Sequence, residues 1–206
     1  STGSDRCFTR SVIDTRPPSI DRSRLPEGFW QVFSGVELLC PDHGLDPGTA
    51  RLMDMQDSSE HLRFVYILPF SEDRLLVEWT EFDPTGSVSD CREKLADWLA
   101  ASALRNGEIL RTESGSLPMF PIKPLDESHR RRNAGVAAGW MRSATGYHFA
   151  TCQRTSKRLA EQILAAAENG DWSLNRLQPR AGWLDWMDKI FLRALRQNPA
   201  AAPEWF

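Results

Sequence analysis

The sequence contains no run of the roughly 18 to 20 apolar residues that a membrane-spanning helix needs, and no basic-then-apolar stretch of the secretory type opens it. A protein that does not cross the membrane is expected. Cysteine is sparse: Cys7, Cys40, Cys91 and Cys152 stand at wide, unrelated intervals and form no CxxC pair. Neither a disulfide framework nor a zinc site is indicated, which fits a reducing cytoplasm. Basic excess is also missing, since 25 Lys and Arg stand against 28 Asp and Glu for a formal charge of -3. Nucleic acid is therefore not expected as a partner. Cys40 and His43 have a ligand-like spacing, but two donors without partners assign no metal.

What is present is an ordinary globular composition, 41% hydrophobic and 26% charged over 206 residues, enriched in Trp. Several of the 8 Trp fall in the last 35 residues. The chain opens on Ser1 and runs directly into a strand-like segment, which reads as a fragment of a longer protein.

SVIDTRPPSID reads as a short strand stopped by Pro17 and Pro18, which cannot continue a ladder. WQVFSGVELL alternates as a strand, and DPGTARLMDM as a turn followed by another. LRFVYILP and RLLVEWTEF form a hairpin pattern around Phe70 to Asp73. Ser87 and Asp90 resemble a capping box, and Cys91, Leu95, Trp98 and Leu99 share one face of a helix expected to reach Leu104. GEILRTESGSLPMF predicts one short strand and a Gly/Pro-broken turn, and DESHRRRN a charged loop. Tyr147 to Ala167 predicts a helix ending at Asn169-Gly170. Trp183, Trp186, Met187, Ile190 and Ala194 make one stripe of a last helix, with Asp185, Asp188, Lys189, Arg193 and Arg196 opposite. Such a stripe serves either a core or a membrane surface.

Within RLLVEWTEF the period of two places Arg74, Leu76, Glu78, Thr80 and Phe82 on one face. If Leu68 pairs with Arg74, Tyr66 faces Leu76 and Phe64 faces Glu78, so two aromatic rings flank a carboxyl group. An apolar setting disfavours the charged form and raises a carboxyl pKa. Further along, Gly139 and Gly146 allow close backbone approach, and Thr145 is placed to cap the helix that follows. A helix N-terminus carries partial positive charge and suits an anion.

Four segments in order resemble the bacterial lycopene cyclase family: VIDTRPP; GFWQVFSGVEL; LMDMQDSSEHLRFVYILPFSEDRLLVEWTEF; and the pair TESGSLPM and AGVAAGWMRSATGYHFATCQRTS. The resemblance implies a mixed α/β fold, part of a flavoprotein of the glutathione-reductase type, with a mainly antiparallel substrate-domain sheet and flanking helices. Such flavoproteins cradle FAD with a GxGxxG turn, which this chain does not contain. Residues 1–18 would end a flavin-domain strand, 19–125 would form the substrate-binding sheet domain with one helix, 126–170 the flavin-contacting loop and helix, and 171–206 a C-terminal helical segment.

The resemblance further implies proton-initiated, non-redox cyclisation of the ends of lycopene, with Glu78 as the acid and Phe64, Tyr66 and Thr80 against the substrate. Reduced FAD would be met by Gly139, Thr145, Gly146 and Tyr147. The family's loop has a Pro where this chain has Ser143. Lycopene dissolves in lipid, so peripheral contact with the inner face of the cell membrane is expected from the substrate. Two other readings stay open: an FAD-dependent oxidoreductase or hydroxylase of the same superfamily, and an inactive fragment that binds an apolar ligand.

Overall fold

In the computed structural model, residues 8–16, 20, 29–122 and 127–205 are described. Among the described residues are seven strands and three α-helices, numbered in chain order, and the chain divides into two units. One unit comprises residues 1–26 and 120–188; the other comprises 27–119 and 189–206. The division runs at 119/120 and, inside the last helix, at 188/189, whereas the sequence expectation set boundaries at 125/126 and 170/171. Cys7, Pro17 and Pro18 lie outside the described residues.

The larger unit is a five-stranded antiparallel sheet: β2 (Phe29–Leu39), β3 (Arg51–Met55), β4 (Arg63–Pro69), β5 (Arg74–Asp83) and β6 (Glu108–Met119). They lie in the order β3-β4-β5-β2-β6. The hairpin register differs from the predicted one by two residues. Phe70 and Ser71 N–H both donate to the Arg74 carbonyl, at 2.7 and 3.1 Å, so Leu68 pairs with Leu76 and not with Arg74. Tyr66 therefore faces Glu78, and Phe64 faces Thr80. Because the difference is two residues, every side chain keeps its predicted face.

β6 is one 12-residue strand, not a short strand and a broken turn. Its two expected breakers are accommodated by its place at the sheet edge. Pro118 pairs only with Trp30 of β2, so its missing N–H interrupts no ladder on the outer side. Gly115 lies under the Phe33 ring, where a Cβ would stand 2.7 Å from Cζ. At its start Leu38 pairs with Ile109 and Glu37 with Arg111, so Leu110 is bulged out.

Helix α1 (Ser89–Ala101) covers one sheet face with Cys91 and Leu95 fully buried. The predicted capping box does not form: Val88 is the cap residue, while the Ser87 and Ser89 hydroxyls bond each other. The helix stops at Ala101 because the Ser102 hydroxyl turns back to the Leu99 carbonyl, at 2.9 Å, and accepts Leu104 N–H. On the opposite sheet face Phe29, Leu62, Phe64, Phe82 and Met119 pack with Leu192, Leu195 and Ala202. Those last residues come from helix α3 (Gly182–Gln197) and the 3-10 turn Pro199–Glu204.

In the other unit, β1 (Val12–Asp14) pairs in parallel with β7 (Arg131–Asn133). The expected charged loop is thus partly a strand, because its cations have fixed partners. Arg131 meets Asp14 at 3.0 Å, and Arg132 Nε donates to the Leu174 carbonyl at 2.8 Å. Helix α2 (Phe149–Asn169) ends at Gly170, whose φ of +78° is the left-handed cap that glycine favours. Ala134, Trp140, Leu159 and Leu174 form the core of this unit. In α3, Trp183, Trp186, Met187 and Ile190 are exposed, between 48% and 64%, while Asp188 on the other side is 2% exposed. The apolar stripe therefore does not face a core within the described residues.

Candidate active site

Alternation along β5 gives its two faces different fates. Leu75, Val77, Trp79 and Glu81 are all buried beneath α1's side of the sheet. The other face grades from core at Phe82 and Thr80 to half-buried at Glu78 and Leu76. Glu78 thus stands where a close-packed core opens into an accessible apolar surface, shared across the hairpin with Tyr66 and Leu68.

The chemistry of Glu78 follows from its neighbours. Thr80, fully buried, donates its hydroxyl to Oε1 at 3.0 Å, which favours the anion. Burial acts in the opposite sense and is stronger, and the nearby Glu113 carboxylate adds to it, so the Glu78 carboxyl is pushed up to about 7. At neutral pH a large fraction of it carries a proton. Phe64 and Tyr66 meet edge to face with centroids 5.1 Å apart, and Phe64 contacts Phe82 similarly at 6.2 Å. Phe64 is 1% exposed and supports the site from within the core, whereas half-buried Tyr66 reaches its surface. Glu78, Phe64, Tyr66 and Thr80 therefore share one face of the hairpin, with Tyr66 across from Glu78 where the sequence pattern had put Phe64.

Sequence reasoning missed Glu113 and Gly35. Gly35 lies between Glu78 and Glu113 across β5, β2 and β6. A Cβ there would stand 3.1 Å from the Glu113 Cγ and 3.5 Å from the Glu78 Cβ. The alternation of RTESGS carried the signal, but it was masked by reading that segment as turn.

Gly139, Thr145, Gly146 and Tyr147 lie in the other unit, in one loop between the 3-10 turn Gly135–Ala138 and α2. Gly139 has φ +70°, and a Cβ on it would lie 3.0 Å from the Ile122 carbonyl. Gly146, at φ +71°, donates to the Arg142 carbonyl at 2.9 Å, and Arg142 N–H bonds Tyr147 O. Thr145 does not cap α2. Its hydroxyl accepts Tyr147 N–H at 3.3 Å, and the cap residue is His148, three residues on and without a side-chain cap bond.

The departure at Ser143 has a structural reason. Its N–H donates to the buried Asp188 carboxylate at 3.1 Å, a bond that proline cannot make. Arg142 binds the same carboxylate through Nε at 3.0 Å and through Nη2, and this holds its guanidinium firmly charged. Asp188 thus fixes the loop from one side. A loop with two left-handed glycines, exposed Tyr147 and Phe149, and a helix start lacking a side-chain cap fits an anionic planar group.

His43 is occupied structurally: Nδ1 accepts Leu45 N–H at 3.0 Å and Nε2 bonds the Ser71 carbonyl at 2.9 Å. Among the described residues no three His, Cys, Asp or Glu side chains converge as a metal site, and no helix is long and apolar enough to cross a membrane.

Residues 2–200 match the family model described as lycopene cyclase protein. A protein named lycopene beta-cyclase from Pantoea ananas is 33% identical over 158 residues, covering 73% of this chain and 40% of its own length. Another of that name from Pseudescherichia vulneris is 26% identical over 195 residues, covering 91% and 48%. The chain therefore spans less than half the length of these curated relatives. In architecture it is similar to the crystal structure of a geranylgeranyl bacteriochlorophyll reductase-like protein from Thermoplasma acidophilum. The TM-score is 0.60 at 13% identity, over 90% of this chain and 46% of that one. With the family model matching nearly its whole length, and with the mixed α/β fold built on an antiparallel sheet, the chain belongs to the lycopene cyclase family.

Proposed function

We propose that the protein is a lycopene beta-cyclase that closes the ends of lycopene into β-ionone rings without net redox change. One feature carries the reading: a half-buried carboxyl, Glu78, that burial pushes up to about 7 on the sheet face it shares with Phe64, Tyr66 and Thr80. Protonating a hydrocarbon double bond requires an acid that is still protonated at working pH. Glu78 donates to the terminal double bond and becomes a carboxylate; the tertiary cation is attacked by the neighbouring π bond, which closes the six-membered ring; a ring proton then passes to the Glu78 carboxylate, which restores both a neutral product and the acid. Atoms balance as an isomerisation. Tyr66, directly across the hairpin, presents an aromatic face to the cation. Thr80 holds the carboxyl in place through its hydroxyl.

The cofactor belonging to this reading is reduced FAD, supported by the family resemblance and by the fit of the 139–147 loop to an anionic group. Gly139, Gly146 and Tyr147 would hold it, and Asp188 fixes their loop through Ser143 and Arg142. When bound, it supplies negative charge that stabilises a developing cation.

Lycopene is reached from a bilayer, and the proposed location is the cytoplasmic face of the membrane. The exposed Trp183, Trp186, Met187 and Ile190 of α3 would enter the interface, with exposed Lys189 and Arg193 near anionic headgroups. Flotation with vesicles containing anionic lipid measures this. Trp186→Ser is expected to lose binding while staying folded; no binding by the parent removes the membrane contact.

The function itself is tested by expressing the gene that carries this chain in lycopene-accumulating cells and analysing the pigment. β-carotene is expected. Pigment unchanged in the presence of folded, flavin-loaded protein would sink the cyclase, and NAD(P)H or oxygen consumed with turnover would point to the oxidoreductase alternative.

A further inference from the structure

We propose that Glu113 is a positioning residue for Glu78: from the next strand but one, across the bare backbone of Gly35, its carboxylate biases the Glu78 carboxyl towards the protonated acid. The inference rests on the cyclase reading for the use made of that proton, but not for the pair itself.

Three strands place the groups in one row. Glu78 pairs with Gly35, and Gly35 with Glu113. On antiparallel strands residues two strands apart are ordinarily separated by an intervening side chain. Here the intervening residue has none, and the Glu113 side chain leans into the space: its Cγ and Oε1 lie 3.1 and 3.5 Å from where a Cβ on Gly35 would be. The Glu78 Cβ is 3.5 Å from the same point. The Glu113 carboxyl and the Glu78 side chain thus border one gap, and the Glu113 charge disfavours ionisation of Glu78.

The rest of the surroundings decides which one keeps the proton. Glu113 is 33% exposed and has a cation, Arg111, 3.2 Å from Oε2. Glu78 is half-buried and accepts from the neutral Thr80 hydroxyl. One row towards the hairpin turn, Glu37 is held by Arg74 and Arg111, with the Arg111 Nε at 3.4 Å. β4 contributes Tyr66, and the α3 residues on this face are the apolar Phe191, Leu192 and Leu195, while Lys189, Arg193 and Arg196 of that helix are exposed. Glu113 thus has a counter-ion and solvent beside it, while burial favours the proton on Glu78.

The arrangement makes an opposed pair of predictions that a merely structural role would not. In flavin-loaded protein with 13C-labelled glutamate, the Glu78 carboxyl signal, assigned by its disappearance in Glu78→Gln, is titrated. In Glu113→Gln its midpoint is expected to move down towards the ordinary carboxyl range. In Arg111→Gln, where the Glu113 charge loses its partner, it is expected to move up; Glu113→Asp, which keeps the charge, stays nearer the parent. A Glu78 midpoint unmoved in Glu113→Gln, or moved down in Arg111→Gln, overturns the proposal. If Glu113→Gln does not fold, the exposed Arg111 substitution decides alone. Lycopene conversion is read separately: a parent showing both shifts without converting lycopene upholds the pair and removes only the cyclase reading.

Discussion

Glu78 and Glu81 sit three residues apart on β5 and face opposite sides of the same sheet. Glu81 is more deeply buried, at 2% exposure, yet it is surrounded by donors and cations: Trp79 Nε1 and Lys94 Nζ each reach Oε1 at 2.7 Å, and Arg63 Nε lies 3.5 Å from Oε2. Glu78 is less buried, but it meets the Thr80 hydroxyl and the like charge of Glu113. The deep burial of Glu81 comes with compensating donors and cations, whereas burial of Glu78 comes beside a like charge and raises that carboxyl. One face of the strand uses a carboxylate as structure. The other keeps a carboxylic acid in reserve beside an accessible apolar wall.

The largest expected effect falls on chemistry. Glu78→Gln should lower ring formation by at least about 100-fold, the lower end of what a positioned general acid contributes, while Glu81→Gln should leave conversion per folded molecule largely intact. Chromatography of pigments from lycopene-accumulating cells compares them, and parental β-carotene from Glu78→Gln would erase the distinction.

Stability should show the reverse order. Removing the Glu81 carboxylate in Glu81→Leu leaves Lys94 and Arg63 beside a buried site without their anion and is expected to cost about 3 kcal/mol in denaturant unfolding. Glu78→Leu should cost little at pH 8, and an equal loss at both positions would break the comparison.

pH dependence sharpens it further. Because the folded-state pKa of Glu78 is raised from 4.5 to about 7, its contribution is fully present below 4.5 and lost as pH rises through 7. The loss should be on the order of 2 kcal/mol after allowance for partial solvent access. Unfolding curves at pH 5 and pH 9 should differ by this amount more in the parent than in Glu78→Gln. Smallest is Thr80→Val, which removes the hydroxyl that donates to Glu78. It should raise the Glu78 midpoint further, extend conversion to higher pH, and lower stability by about 1 kcal/mol.

Much of this face was legible from alternation alone, because a period of two is local and robust: Glu78, Thr80 and Phe82 stand on the predicted side even though the hairpin register differs by two. The register was not legible, since it depends on which carbonyl closes the turn, here that of Arg74 accepting from both Phe70 and Ser71. β6 was misread because Gly115 and Pro118 are breakers by propensity, and only an edge position with the Phe33 ring above makes them suitable. Glu113 was hidden with it. Thr145 was assigned to the cap because the hydroxyl precedes a helix-forming run, but a closed loop between Arg142 and Tyr147 intervenes. Asp188 appeared as one charge on a solvated helix face, and nothing local reveals that its partner is the backbone at Ser143.

The bulge at Leu110 separates two kinds of tolerance in the chain. Residues 111 to 119 keep one constant pairing with β2, and the extra residue is taken up before Arg111, on the side of the connection from α1. Changes of one residue in that connection have a place to be absorbed without rephasing the row that contains Glu113. Lineages are thus free to lengthen or shorten the 102–107 segment, while an insertion between Arg111 and Gly115 would turn Glu113 to the wrong side and separate the two carboxyl groups.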